Sequence, residues 1–156
     1  MAIEIGQPAP LFSLYDTNKQ LVSLSDYRNK NVLLLFFPLA FTSVCTAELC
    51  SVRDNITAYS NVKSDVLGIS VDSLYTLGAF KIEQRITFPL LSDFNKEVSE
   101  AYGALYDSFG YGMRGVSKRA AFIVDGQGKI IYSEVLENAR EQPDFKVIEA
   151  VLTGSS

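Results

Sequence analysis

The chain predicts an α/β fold, a central mixed β-sheet flanked by helices, and three features carry that expectation. Val32 to Phe37 is an unbroken apolar run of strand length, and Val66 to Val71 and Ala120 to Val124 are further apolar strand candidates, the pattern of strands buried on both faces. The first two enclose a helical stretch from about Thr42 to Tyr59, a βαβ arrangement that favours parallel pairing. The third is followed by Gly126-Gln127-Gly128 and then Ile130 to Val135, which reads as an antiparallel hairpin.

The remaining elements follow in chain order. Phe12 to Tyr15 and Gln20 to Leu24 alternate on either side of Asp16-Thr17-Asn18-Lys19, an N-terminal β-hairpin. Pro38 cannot continue a central ladder and ends the first apolar run, and Thr42 or Ser43 can cap the helix that follows. Helical patterns recur around Ser73 to Arg85 and Asn95 to Leu105. Pro143 suits the first turn of a closing helix, where Phe145, Ile148 and Leu152 recur at helical spacing, and the Thr153 to Ser156 tail is expected to fray. No repeat, low-complexity tract or linker interrupts the chain. Its 156 residues, 47% hydrophobic and 21% charged, fit one domain over 1–156 with a core of its own.

Composition removes several classes of function. A net charge of −4, with no basic cluster larger than Lys118-Arg119, argues against nucleic acid. Met1 to Leu14 carries neither a basic region nor a long apolar segment, and no run approaches the roughly 20 apolar residues that span a bilayer. The expectation is a cytoplasmic protein with no membrane partner. Two cysteines and no histidine fall short of the about four soft ligands of a closed zinc site, so no metal or other cofactor is expected.

The two cysteines differ in their surroundings. Cys45 lies in the first turn of the helix that follows a buried strand, among backbone N–H groups without helical acceptors and at the positive end of the helix dipole, both of which favour an ionised sulfur. It also opens the stripe Cys45, Leu49, Val52, Ile56 and Tyr59, spaced to face the core. A small buried hydrophobe and a nucleophile both fit that position. Cys50 lies roughly 140° around the helix, in company with Thr46, Arg53, Asp54 and Thr57 on a polar flank, where a free cysteine has no packing reason to exist. Helix geometry separates the two Cα atoms by about 8.7 Å, beyond the roughly 7 Å that a disulfide bridges. If the two pair, the helix must open.

At this point the residues resemble a known family. Pro38-x-x-x-Thr42-x-x-Cys45 looks like the peroxiredoxin active-site motif, with Phe36-Phe37, Glu48 and Arg53-Asp54 matching around it. Gly6-Gln7-Pro8-Ala9-Pro10, Phe88-Pro89-Leu90-Leu91-Ser92-Asp93 and Arg119-Ala120-Ala121-Phe122-Ile123-Val124-Asp125 extend the match over nearly the whole chain. Within the family the chain is similar to the bacterioferritin comigratory protein (Q-type) and alkyl hydroperoxide reductase E groups; Ser43 replaces a proline often found there, and Phe41-Thr42-Ser43-Val44 looks more like the E-type.

The resemblance implies a thioredoxin-like fold and a cofactor-free thiol peroxidase. Cys45 would be the peroxidatic cysteine that attacks a peroxide oxygen and becomes a sulfenic acid. Thr42 and Arg119 would bind and polarise the peroxide, Pro38 would shield the pocket, and Glu48 would orient an arginine. Cys50 matches the resolving position of Q-type members that form a disulfide within this helix.

Physical chemistry adds a reason for the arginine. Ionisation alone makes a thiol only a few-fold better attacker at neutral pH, because nucleophilicity falls as thiolate fraction rises. Stabilising the departing oxygen must supply the rest, on the order of 3 kcal/mol for each fixed donor. Six arginines are available, Arg28, Arg53, Arg85, Arg114, Arg119 and Arg140, and the residues alone do not choose among them. Arg119 opens an apolar strand at a sheet edge, where ligands of α/β folds gather, and Arg114 in the neighbouring Gly-rich stretch is its nearest rival. Leu39, Phe41 and Val44 suggest an apolar rim that could admit alkyl chains, but core is the expectation for them.

The leading expectation is a thiol peroxidase acting on hydrogen peroxide or organic hydroperoxides, resolved by Cys50, reset by thioredoxin or a similar dithiol protein, and working as a monomer or homodimer. A redox-sensing or chaperone-like protein switched by oxidation of Cys45 is the alternative. A disulfide reductase is disfavoured, since its Cys-x-x-Cys spacing is absent here.

Overall fold

In the computed structural model, which describes residues 3–154, seven strands form one mixed sheet in the order β2-β1-β5-β4-β3-β6-β7. β3 (Asn31–Phe36) is central because every residue after Asn31 is apolar and both of its faces are covered. It pairs in parallel with β4 (Ser64–Ser70) and antiparallel with β6 (Arg119–Val124), which returns as β7 (Ile130–Leu136). The hairpin β1 (Ser13–Asp16) and β2 (Leu21–Ser23) forms one edge. Helices α1 (Ser43–Asp54) and α2 (Ile56–Asn61) make the crossover from β3 to β4. α3 (Leu74–Gln84), the short α4 (Glu97–Ala101) and α5 (Phe145–Gly154) complete the chain.

Alternation along β3 splits the core in two. Leu33, Leu35 and Phe37 point to the face covered by Cys45, Leu49 and Val52 of α1, Leu77 and Phe80 of α3, and Ile148 and Leu152 of α5. Val32, Leu34 and Phe36 point to the other face, where Phe36, Tyr102 and Phe122 pack ring against ring with centroids 5.1 to 5.6 Å apart.

Four expectations need correction. The helix expected over Thr42 to Tyr59 breaks at Asn55 (φ −109°, ψ 17°), whose amide donates to the Ser51 carbonyl at 3.0 Å and so competes with the helical ladder. The apolar stripe survives the break: Cys45, Leu49, Val52 and Tyr59 are buried and Ile56 is half-buried. The pattern from Asn95 to Leu105 shrinks to α4, because Lys96 and Gly103 both take left-handed conformations that close it at either end. Pro143 stands outside α5; Asp144 caps it instead, its Oδ1 accepting from the Val147 N–H at 3.3 Å. Thr153 and Gly154 continue that helix rather than fray, while Ser155 and Ser156 lie outside the described residues, as do Met1 and Ala2 of the N-terminal stretch read for targeting signals.

β5 (Leu90–Ser92) has no counterpart among the expected strands, being only three residues long. It pairs in parallel with β4 and antiparallel with β1, and thereby joins the N-terminal hairpin to the sheet. Gly68 of β4 permits that approach, since a Cβ there would meet Leu90 Cδ2 at 2.6 Å. Among the described residues no helix is long and apolar enough to cross a membrane.

Candidate active site

The site forms where β3 ends. The Phe37 N–H makes the last ladder bond, 3.0 Å to the Ile69 carbonyl, and the buried Pro38 offers no donor to continue it. The chain then leaves the sheet in a short loop to α1. The Ala40 N–H donates to Asp72 Oδ2 at 2.8 Å, and the same oxygen accepts from the Ser70 hydroxyl at 2.7 Å, so the end of β4 holds the loop at its middle. Phe41 takes a left-handed conformation (φ 70°), which costs a residue with a Cβ on the order of 1–2 kcal/mol, and its ring meets Phe80 edge-on at 5.2 Å. Leu39 and Val44 are half-buried and Phe41 is 50% exposed. These three form a rim rather than core, because the loop carries them past the end of the sheet.

Thr42 is the N-cap of α1, with extended backbone (φ −87°, ψ 153°). Its hydroxyl does not cap the helix; it donates to the Leu39 carbonyl at 2.7 Å, tightening the loop instead. Its carbonyl accepts the first helical bond, from Thr46 N–H at 2.9 Å. Ser43, Val44 and Cys45 therefore present N–H groups with no acceptor earlier in the helix. Cys45 is fully buried and is a free thiol.

Arg119 reaches this sulfur because of strand direction. β6 runs antiparallel to β3 with Ala120 opposite Phe36, so the residue before Ala120 falls beside the loop that leads to α1. The Arg119 Nη2 donates to Cys45 Sγ at 3.4 Å and Nη1 to Glu48 Oε1 at 2.6 Å. Nε and Nη2 both donate to the Ala139 carbonyl, at 3.0 and 2.8 Å. Cys45 and Glu48, three positions apart, lie on one face of α1 and meet the same guanidinium.

The electrostatics follow from burial. Arg119 is 2% exposed and Glu48 is fully buried. Burial pushes the Glu48 carboxyl up to about 7, against the opposing pull of the Arg119 charge and hydrogen bond. Its Oε2 has no partner among the described residues. Burial also lowers the Arg119 pKa, but Cys45 and Glu48 outweigh it, and the guanidinium stays firmly charged.

Cys50 departs from the polar flank expected for it. It is half-buried, packs on the rim of the α1-side core, and its thiol donates to Gln84 Oε1 at the end of α3 at 3.5 Å. Arg53, one turn further on, donates from Nη1 to the Gln84 backbone carbonyl and pairs with Asp54. Cys50 is also a free thiol. Arg114 is exposed and takes no part.

The structure thus brings Cys45, Glu48 and Arg119 into direct contact, with Pro38 and Thr42 in the adjoining loop, while Cys50, bonded to Gln84 of α3, takes no part in that contact. Sequence reasoning missed two contributors to this site, the Ala139 carbonyl and Asp72, and one neighbour of Cys50, Gln84. The Ala139 carbonyl has no side-chain signature. Asp72 and Gln84 are polar residues at the ends of elements, and only the neighbours they meet distinguish them.

Comparison with known proteins identifies the family and the fold. The AhpC/TSA family model matches residues 5–133. Alkyl hydroperoxide reductase E of Mycobacterium tuberculosis is 43% identical over 136 residues, covering 85% of this chain and 86% of that protein. A putative peroxiredoxin of Porphyra purpurea is 37% identical over 162 residues, covering 96% of this chain and 78% of the relative. Among solved structures, peroxidoxin BcpB of Mycobacterium tuberculosis superposes with a TM-score of 0.87 at 26% identity over 99% of both chains. A PrxQ mutant from Xylella fastidiosa has a TM-score of 0.88 over 99% of this chain and 98% of that one, and at 22% identity supports the fold alone.

A thioredoxin-like sheet that delivers a buried cysteine and a guanidinium to one point, in a chain with these relatives, defines an enzyme class: a thiol peroxidase, an oxidoreductase of the peroxiredoxin kind. More particularly, the chain belongs to the AhpC/TSA family.

Proposed function

We propose that Cys45 is the peroxidatic cysteine of a peroxidase for hydrogen peroxide and organic hydroperoxides. The observation that carries this reading is the Arg119 guanidinium bound at once to Cys45 Sγ and to the buried Glu48 carboxyl. The Cys45 thiolate attacks one peroxide oxygen, the O–O bond breaks, and the sulfur is oxidised to a sulfenic acid. The departing oxygen leaves as an alkoxide or hydroxide and takes up a proton. Arg119 and the N–H groups of the first α1 turn supply fixed donors where that negative charge grows, without reorganisation during the reaction. The Thr42 hydroxyl can turn from Leu39 toward the peroxide, exchanging one hydrogen bond for another. Glu48 and the Ala139 carbonyl hold the guanidinium plane, and Pro38 keeps water from the sulfur.

Cys50 then resolves the sulfenic acid: its sulfur displaces water from Cys45, a disulfide forms, and an external dithiol protein of the thioredoxin type reduces it by exchange. The distance along α1 requires the helix to open for this step. Mass spectrometry after one equivalent of peroxide tests the assignment. A loss of two mass units, abolished in Cys50→Ser, is the expected result; a stable gain of one oxygen in the wild type would make Cys50 a bystander. Cys45→Ser should lose hydroperoxide reduction altogether.

A further inference from the structure

Gln84 has no place in the chemistry at Cys45, yet two residues of α1 converge on it. Cys50 Sγ donates to its side-chain Oε1 at 3.5 Å, and Arg53 Nη1 donates to its backbone carbonyl. Gln84 is the last residue of α3, and Arg85 after it turns into a left-handed cap whose N–H returns to the Ile82 carbonyl. The backbone at this point is held by its own cap and by Arg53, which leaves the amide side chain opposite Cys50. The bond exists only while the Cys50 thiol carries its proton and stays in the closed helix. Both conditions must end before Cys50 can displace water from an oxidised Cys45.

We propose that Gln84 is a positioning residue for the resolution step, a latch that keeps Cys50 docked on α3 and so sets how fast the helix releases it. The inference rests on the resolving role assigned to Cys50 above. The step balances as Cys45–SOH plus Cys50–SH giving the Cys45–Cys50 disulfide and water; the sulfenic sulfur is reduced as the Cys50 sulfur is oxidised. Gln84 supplies no atom or electron. It lowers the population of the opened state, and a sulfenic acid that waits longer meets a second peroxide more often and goes on to sulfinic acid.

Gln84→Met keeps the length of the side chain and removes the acceptor, whereas Gln84→Glu keeps an oxygen at the same reach. A thiol is a weak donor, so the loss of this bond corresponds to an acceleration of about two- to five-fold. Acid-quenched samples taken after one equivalent of peroxide separate the gain of one oxygen from the later loss of two mass units. Gln84→Met should form the disulfide about two to five times faster than wild type, with the first oxidation phase unchanged and less sulfinic acid under excess peroxide; Gln84→Glu should stay near wild type. A disulfide rate shared by wild type and Gln84→Met overturns the latch alone. Equal acceleration in both variants, accompanied by a faster or slower first phase, also overturns it, since that is general loosening. A wild type that never loses two mass units overturns the resolving role of Cys50 and the latch with it.

Discussion

Arg119 divides one positive charge among three acceptors, Cys45 Sγ, Glu48 Oε1 and the Ala139 carbonyl, and the planar fork of the guanidinium is what allows it. A lysine would bring the charge without the fork and could not hold sulfur, carboxylate and carbonyl together. Arg119→Lys is therefore expected to lower kcat/KM for peroxide on the order of 100-fold or more, the range of a lost transition-state donor, with an unchanged circular dichroism spectrum. Near-normal turnover would remove Arg119 from the site. Glu48 makes a different prediction. Its folded carboxyl titrates near 7 and the free group near 4.5, so folding takes up a proton between those values. The group's contribution to stability is fully present below about pH 4.5 and is lost as pH rises through about 7, a swing on the order of 3 kcal/mol. Glu48→Gln cannot titrate. Urea unfolding of both proteins should show the variant gaining on wild type as pH rises from 5 to 8, and a gap that stays constant with pH would contradict the buried carboxyl as its source.

At the scale of elements, the proposed resolution by Cys50 gives α1 two incompatible duties. Closed, it buries Cys45, Leu49 and Val52 in the core and presents unpaired N–H groups at its start; open, it lets the two sulfurs meet. Its anchors divide accordingly, with Asp72 holding the loop before it and Gln84 holding Cys50 and Arg53 near its other end. Oxidation to the disulfide is expected to cost roughly one turn of helix, read as a smaller far-ultraviolet signal in the oxidised than in the reduced protein. Identical spectra would argue against the opening. The strand of α1's crossover, its apolar stripe and its start were legible beforehand, because a buried strand, a proline and a 3.6-residue period leave local marks. Its end was not: Asn55 breaks the helix while the stripe runs on to Tyr59, and periodicity does not register a one-residue interruption. β5 was missed for the opposite reason. Three residues are too few for a pattern, and the strand is defined by β4 and β1 on either side of it.

For the whole molecule, the decisive fact is a meeting between residues 74 positions apart. β6 runs antiparallel to β3, so its first residue falls where β3 hands the chain to α1, and Arg119 arrives buried beside Cys45. Arg114, five positions earlier, stays in solvent. Composition and spacing had no means of separating the two arginines, and it was the family resemblance that selected Arg119. The amino-acid order by itself determined the α/β class, the parallel crossover, the C-terminal hairpin and the placing of Cys45 at a helix start, since each of these depends on the polarity and backbone preferences of neighbours in the chain. Only the tertiary structure decided how the Arg119 guanidinium reaches the sulfur, that a bare carbonyl at Ala139 steadies it, and that Cys50 rests on Gln84. Those contacts join distant segments: the register of β6 on β3 brings Arg119 to Cys45, and α1 lying beside α3 brings Cys50 to Gln84.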